Sequence, residues 1–288
     1  MSTRVLVTGA CGKLGRATVQ ELAANEYEVV AADRAQPRAD FPDGVRFVQT
    51  DLLDVGQVAG VMAGCAAVVH LGAIPVAYTF PNEVVFRNNT GATYATLQAA
   101  SLLGVKRAAI ASSASIYGTA YAPETFSPHY APVDEAHPLL NHDPYGVGKE
   151  VDERVAEMFC RRDGMTVAAL RFHWIATPEE QQAAAERYRQ SPESASGLRI
   201  LWGYVDLRDA ARACRLALEA EPFGFAPCNI VAADMLHPLP TEEAIRRYAP
   251  QTELQAPLPG FAGAFAIDKA KRLIGWEPQH SWRQQSSS

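Results

Sequence analysis

Two short stretches carry side chains whose types and spacing could do chemistry. The first is Tyr145-Gly146-Val147-Gly148-Lys149. On a helix, residues four apart share one face, so the phenol and the ammonium point the same way. A free tyrosine titrates near pH ~10 and is a poor base at neutral pH, but a neighbouring ammonium favours the phenolate. Tyr145 can then take a proton from a substrate hydroxyl or return it in reduction. Lys149 is placed to hydrogen-bond a nicotinamide ribose. The second stretch is Ala111-Ser112-Ser113-Ala114-Ser115-Ile116-Tyr117-Gly118, at the end of an apolar run. A hydroxyl there can donate to a substrate oxygen and stabilise charge developing on it. Taken singly, each has a bland reading, a solvated helix face and a serine-rich turn. Their order behind a third motif gives them meaning.

That third motif positions them. The apolar strand Arg4–Thr8 runs into Gly9-Ala10-Cys11-Gly12-Lys13-Leu14-Gly15, a helix follows, and a second apolar strand from Glu28 to Ala32 ends on Asp33. This is how a βαβ unit holds a dinucleotide. Gly9 permits the tight turn, Gly12 lets backbone N–H groups approach a pyrophosphate, and Gly15 lets the helix pack closely. The helix start supplies partial positive charge. Cys11 reads as a small space-filler in this turn and, with Lys13 and Leu14, as a cofactor contact. Asp33 is placed to accept from the adenosine ribose hydroxyls, which favours NAD over NADP. Arg34 beside it can stack on adenine or receive a 2′-phosphate.

The rest of the chain supplies the frame. Apolar runs at Val45–Val48, Ala66–Leu71, Ala108–Ala111 and Thr166–Arg171 alternate with helical stretches at Val55–Met62, Val84–Leu103 and Gly146–Arg162. This predicts an α/β fold, a doubly wound parallel sheet of the Rossmann kind. After Arg171 the periodicity breaks. Helices are expected at Glu179–Arg189, Leu207–Glu219, Thr241–Tyr248 and Lys269–Ile274, with a strand near Pro227–Ala232. The division expected is a dinucleotide-binding domain over 1–171, carrying the catalytic residues, and a smaller substrate lobe over 172–288. Asp206, Asp209 and Asp268 are read as helix caps. Thr119–Asp143, long for a loop, is expected to line or cover the pocket. Gln284–Ser288 is expected to fray.

Composition narrows the class. The chain has 288 residues, 48% hydrophobic, with a formal net charge of −6. No basic stripe suggests nucleic acid and no apolar run suggests a membrane span. Five scattered cysteines without CxxC spacing, and a strand starting within four residues of Met1, predict a cytoplasmic protein without a signal peptide. No histidine pair has metal-ligand spacing, so no metal is expected.

At these motifs the sequence resembles the extended short-chain dehydrogenase/reductases, the NAD-dependent epimerase/dehydratase group, over nearly its whole length. The resemblance rests on Gly9-x-x-Gly12-x-x-Gly15, Asp51-Leu52, His70-Leu71-Gly72-Ala73, Asn88-Asn89-Thr90-Gly91, Tyr204-Val205-Asp206-Leu207-Arg208-Asp209 and Ile274-Gly275-Trp276-Glu277-Pro278. It implies a catalytic trio of Ser113, Tyr145 and Lys149. It implies cofactor contacts at Asp51 and Leu52 against adenine, and at Leu71, Gly72 and Ala73 behind the cofactor. Asn88, Ser112 and Phe172 join them. Ile74, Ser113, Ala114, Ser115, His173 and Trp174 are candidates for the substrate side. Arg208 and Arg199 could each reach a substrate carboxylate or phosphate.

The implied activity is NAD-dependent oxidation or epimerisation of a sugar or nucleotide-sugar hydroxyl. Two features depart from nucleotide-sugar members: Arg171-Phe172-His173-Trp174 replaces their Asn-x-Tyr-Gly-Pro run, and the second lobe is short. His70-Leu71-Gly72-Ala73-Ile74-Pro75 is similar to the uronate dehydrogenase branch, which acts on free sugar acids. That branch, however, has a serine at the position of Pro75 and Asn-His in place of Ala114-Ser115. Reduction of a small non-sugar carbonyl is a further alternative, and a dinucleotide sensor without turnover is another. The helices at Val84–Leu103 and Gly146–Arg162 resemble those that form the family's homodimer.

Overall fold

The computed structural model describes residues 3–285. Seven strands form one sheet: β1 (Arg4–Thr8), β2 (Glu28–Asp33), β3 (Arg46–Gln49), β4 (Ala67–His70), β5 (Arg107–Ser113), β6 (Thr166–Phe172) and β7 (Phe225–Ile230). Their order across the sheet is β3-β2-β1-β4-β5-β6-β7, and every pairing is parallel. All-parallel strands need cover on both faces, which is why β4 and β6 are buried at every position. Successive side chains alternate between the faces. In β1, Val5 and Val7 join a core with α1 (Lys13–Ala24) and α6 (Leu207–Glu219), whereas Leu6 joins a second core with α2 (Val55–Met62), α3 (Asn82–Leu102) and α4 (Pro144–Asp163). The chain order reverses between β1 and β4. In such sheets the crevice at the carboxyl ends of the strands beside this reversal is where ligands bind.

A third core, built on Trp202, Tyr204, Met235, Ile245 and Trp282, fills a smaller lobe that includes α5 (Pro178–Gln190) and α7 (Thr241–Tyr248). The strand expected near Pro227–Ala232 within that lobe is instead β7, paired with β6 at Asn229 and Arg171. Likewise α6 lies in the layer that covers the sheet. Much of the chain after residue 172 therefore completes the sheet.

Local chemistry explains several boundaries and corrects others. Asp143 caps α4 by accepting from the Tyr145 and Gly146 N–H groups at 2.9 and 2.8 Å, Pro144 starts the helix, and Gly164 ends it in the left-handed region. Asp206 caps α6 as expected. Asp209 does not; its carboxylate accepts from Gln279 and His280 N–H at 2.9 Å each, and its carbonyl accepts from the Trp276 indole at 2.9 Å. It thereby anchors the closing segment of the chain. Asp268 is the first residue of α8 (Asp268–Ile274), and Ile267, without a side-chain bond, holds the cap position. Gln284 and Gln285, expected to fray, lie in the short helix Trp282–Gln285; Ser286–Ser288 fall outside the described residues. Within Thr119–Asp143, Tyr130–Ala131 pairs with Glu253–Leu254. Among the described residues no helix is long and apolar enough to cross a membrane.

A buried polar tie crosses the layers. Glu153 on α4 accepts from Arg171 Nε and Nη2 at 2.9 and 2.8 Å and from the Ser112 hydroxyl at 2.6 Å, with both charged side chains under a tenth exposed. Removing one partner of such a pair strands the other charge in the interior. Glu153→Ala is expected to cost about 3–5 kcal/mol, lowering the melting temperature by roughly 10 °C in a thermal scan.

Candidate active site

The carboxyl ends of β1, β4, β5 and β6 open into one cavity of about 1150 Å³. At one end stands the glycine turn. Gly9 has φ +68°, and a Cβ there would lie 2.6 Å from the Gly72 nitrogen, so two backbone segments touch. A Cβ at Gly15 would lie 2.1 Å from the Gly9 oxygen. The start of α1 has no side-chain cap, and Gly12, Lys13, Leu14 and Gly15 line the cavity. Uncapped N–H groups at a helix start, faced by a space that side chains would fill, suit a pyrophosphate.

Asp33 fixes the far side of this cradle. Its carboxylate accepts from the Cys11 N–H at 3.0 Å and the Ala35 N–H at 2.9 Å, which leaves lone pairs for the hydroxyls of a ribose. Asp33, Arg34, Asp51 and Leu52 line this end of the cavity; Leu71, Gly72, Ala73 and Asn88 line its floor. Two expected contacts behave differently. Cys11 is not among the cavity-lining residues; its thiol donates to the Ala35 carbonyl at 3.3 Å, and partial burial raises its pKa. Lys13 does line the cavity, but its ammonium is held by both Glu180 oxygens at 2.7 Å. That pair bridges α1 to the start of α5.

The reacting end is organised by α4. Its cap at Asp143 sets Tyr145 in the first turn, and Lys149 follows one turn later with its ammonium 5.8 Å from the Tyr145 ring centre. The ammonium donates to the Ala111 carbonyl at 2.6 Å and pairs with Asp152 at 3.3 Å. Lys149 and Asp152 are almost wholly buried, and burial raises the Asp152 pKa against the pull of Lys149. His70, beneath them, bonds the Thr8 hydroxyl at 2.7 Å. Burial and the Lys149 charge push its pKa down to about 3, so it is neutral. Ser113 Oγ accepts from the Ser115 N–H at 3.1 Å, which leaves its proton to donate. The neighbouring Ser112 lines the cavity but turns its hydroxyl to Glu153.

On the substrate side, Ile74, Ala114, Ser115, His173 and Trp174 line the same cavity, as does Phe172, expected as a cofactor contact. His173 is neutral, pushed down to about 3 by burial; its Nδ1 accepts from the Trp174 N–H at 3.1 Å. Arg208 lies outside the cavity lining. Its guanidinium is forked through Nε and Nη2 onto Asp206 at 2.8 and 2.9 Å, which holds it away from the cavity lining. Arg199 lines the cavity instead, with Nη1 on the Ala120 carbonyl at 3.3 Å.

Some residues here were not visible in the sequence. Asp152 reads there as one more charge on a helix. Asn89, rather than its neighbour Asn88, bonds both the N–H and the carbonyl of Ile74, at 2.8 and 3.0 Å, and so shapes the loop after β4. Val76, Phe80, Tyr121 and Phe265 come to the cavity from separate segments; only Tyr121 lay in a stretch expected to line it.

Fold and cavity together define a dinucleotide-dependent α/β enzyme, with NAD as the group its glycine cradle suits. Residues 5–230 match the model of the NAD dependent epimerase/dehydratase family, and the chain belongs to that family. It is 28% identical over 240 residues to L-arabinose 1-dehydrogenase (NAD(P)(+)) of Haloferax volcanii, covering 80% of this chain and 89% of that one. It is 34% identical over 176 residues to uronate dehydrogenase of Agrobacterium fabrum, covering 61% and 62%. It is 26% identical over 316 residues to UDP-glucose 4-epimerase of Lacticaseibacillus casei, covering 96% and 92%. Among solved structures, a mutated uronate dehydrogenase superposes with a TM-score of 0.70 at 22% identity, over 99% of this chain and 86% of that one, a likeness of fold.

The close approach at Gly15 yields a direct test. Gly15→Ala must displace the Gly9 carbonyl, and we expect NAD affinity measured by calorimetry to fall by about tenfold or more, on the order of 1.4 kcal/mol.

Proposed function

We infer that the protein is an NAD-linked dehydrogenase of a sugar hydroxyl, and that the sugar carries an acidic group. The observation behind the acidic group is Arg199. Of the other cavity cations, Lys13 is paired with Glu180 and Lys149 with Asp152, and Arg34 adjoins Asp33 at the dinucleotide end. Arg199 sits in the lining with Tyr121 and His173, and among the described residues it forms no salt bridge. A guanidinium there offers its remaining donors to a carboxylate. The arabinose and uronate dehydrogenases named above agree with a free sugar as substrate.

In this reading Gly12–Gly15 hold the pyrophosphate, Asp33 the adenosine ribose, and Lys149 the nicotinamide ribose. Asp33 also disfavours a 2′-phosphate, so NAD is preferred to NADP. When bound, NAD supplies a hydride acceptor. Ser113 donates a hydrogen bond to the substrate oxygen, and Tyr145 removes the hydroxyl proton. Asp152 and the Ala111 carbonyl hold the Lys149 ammonium in place, 5.8 Å from the Tyr145 ring centre. We assign the cofactor and catalytic residues to 1–171 and the small lobe within 172–288 to the substrate side, with β7 and α6 belonging to the sheet layers.

We place the protein in the cytoplasm, a compartment that suits five unpaired cysteines. We also assign it a homodimer through α3 and α4, whose outer faces leave Phe86, Tyr94 and Val147 38–45% exposed. Sedimentation is expected to give a dimer that Phe86→Glu dissociates.

The activity is checked by the absorbance of reduced nicotinamide with NAD and a panel of uronic acids and pentoses. Accumulation identifies a dehydrogenase, whereas sugar conversion without accumulation identifies an epimerase. Tyr145→Phe is expected to lower kcat by about 10²-fold or more while leaving NAD affinity by calorimetry nearly unchanged.

A further inference from the structure

The reactive atoms say which bond is made; the walls around them say what carries it. Next to Tyr145 the packing is hydrocarbon. Ile74, Ala77 and Val85 form a buried cluster with it, and Tyr121 stands edge-on to its ring with centroids 6.1 Å apart. Further out, Val76, Phe80 and Trp174 line the cavity yet remain 38, 46 and 37% exposed. Large apolar side chains left open to water inside a concave site mark a surface that a ligand covers.

Polar partners on this side are few. Pro75 has no N–H to offer, and Ala114 has no polar side chain. The Thr119 hydroxyl donates to the Arg199 carbonyl. The His173 ring is neutral; its Nδ1 accepts from the Trp174 N–H, and its buried Nε2 lies against Gly203 without a hydrogen bond. Ser113, Ser115 and Arg199 remain at the reacting end, with the Thr79 and Ser196 hydroxyls and the Tyr121 phenol spaced along the rest of the lining. A sugar with a hydroxyl on every carbon would bring several of them against groups unable to replace their bonds to water, and that loss opposes binding.

We propose that the substrate is a hydroxyl-poor ring acid, with one carbinol at Ser113 and Tyr145, one anionic group at Arg199, and a deoxygenated or alkyl edge against Val76, Phe80 and Trp174. This rests on the assignment of Tyr145 and Arg199 above and narrows the acid that the site takes. A deoxy sugar acid and a hydroxycyclohexane carboxylic acid share this chemistry.

The test is calorimetric titration of the protein–NADH complex with cyclohexanecarboxylate and with D-glucuronate, which share the charge and differ in ring hydroxyls. Initial rates with cis-4-hydroxycyclohexanecarboxylate, a 4-deoxyuronate and D-glucuronate, at saturating NAD, distinguish the two ring sources. The expected result is a dissociation constant for cyclohexanecarboxylate about tenfold below that for D-glucuronate, with Phe80→Asn erasing most of this preference and leaving NADH affinity unchanged. D-Glucuronate binding as tightly or more tightly overturns the proposal and leaves the sugar-acid dehydrogenase standing. A preference that survives in Phe80→Asn also overturns it, because the apolar wall is then not the cause. Should neither acid bind a protein that binds NADH, the assignment of Arg199 falls and the proposal with it.

Discussion

The site depends on how α4 is held against the ends of β5 and β6. Three of its side chains, at positions 149, 152 and 153, share one buried face, and each is committed. Lys149 reaches the Ala111 carbonyl and Asp152; Glu153 takes the Ser112 hydroxyl and the Arg171 fork. Buried charges contribute little net stability when paired and cost a great deal when separated. That asymmetry fixes rotation and register. If α4 slid by one residue, all three polar groups would lose their partners at once. Tyr145, in the first turn of the same helix, inherits the precision of that lock.

The dinucleotide end is built by a different constraint, the contact of backbone with backbone. Gly9 and Gly72 belong to the turns after β1 and β4, the two strands that flank the reversal of the sheet. A Cβ at Gly9 would run into the Gly72 backbone, and one at Gly72 into the Leu52 side chain. Asn89 holds the second turn from α3 through Ile74, and Asp33 holds the first through Cys11. The cradle is therefore fixed from both sides, by Asn89 behind the second turn and by Asp33, which also lines the cavity.

How far this was legible in the sequence follows from what each residue answers to. Gly9, Gly15, Asp33, Tyr145 and Lys149 answer to local rules, a turn, a close approach or a helical spacing, and each stands in the cavity where those rules put it. The sheet was equally readable, because buried parallel strands are unbroken apolar runs. Less legible were features set by distant partners. Arg208 has the same chemistry as Arg199, yet Asp206, two residues away, holds its guanidinium by Nε and Nη2 outside the cavity lining. The strand Phe225–Ile230 carries Pro227 and Asn229 amid an irregular region, so nothing local assigned it to the main sheet; only its pairing with β6 does. Asp152 and Asn89 look like ordinary helix polars until packing buries them.

The two neutral histidines connect these halves electrostatically. His70 lies under Lys149 and His173 beside the substrate wall, and desolvation denies each a proton at neutral pH. Were either imidazole charged, it would compete with Lys149 or Arg199 for the negative charge each cation is placed to meet. Kept neutral, they add no charge beside Lys149, which is paired with Asp152, or beside Arg199 in the lining. That half of the cavity is thus electrostatically sparse next to the dinucleotide end, where Lys13, Asp33, Arg34 and Asp51 lie. In a weakly polar enclosure each remaining charge acts strongly on whatever ligand meets it.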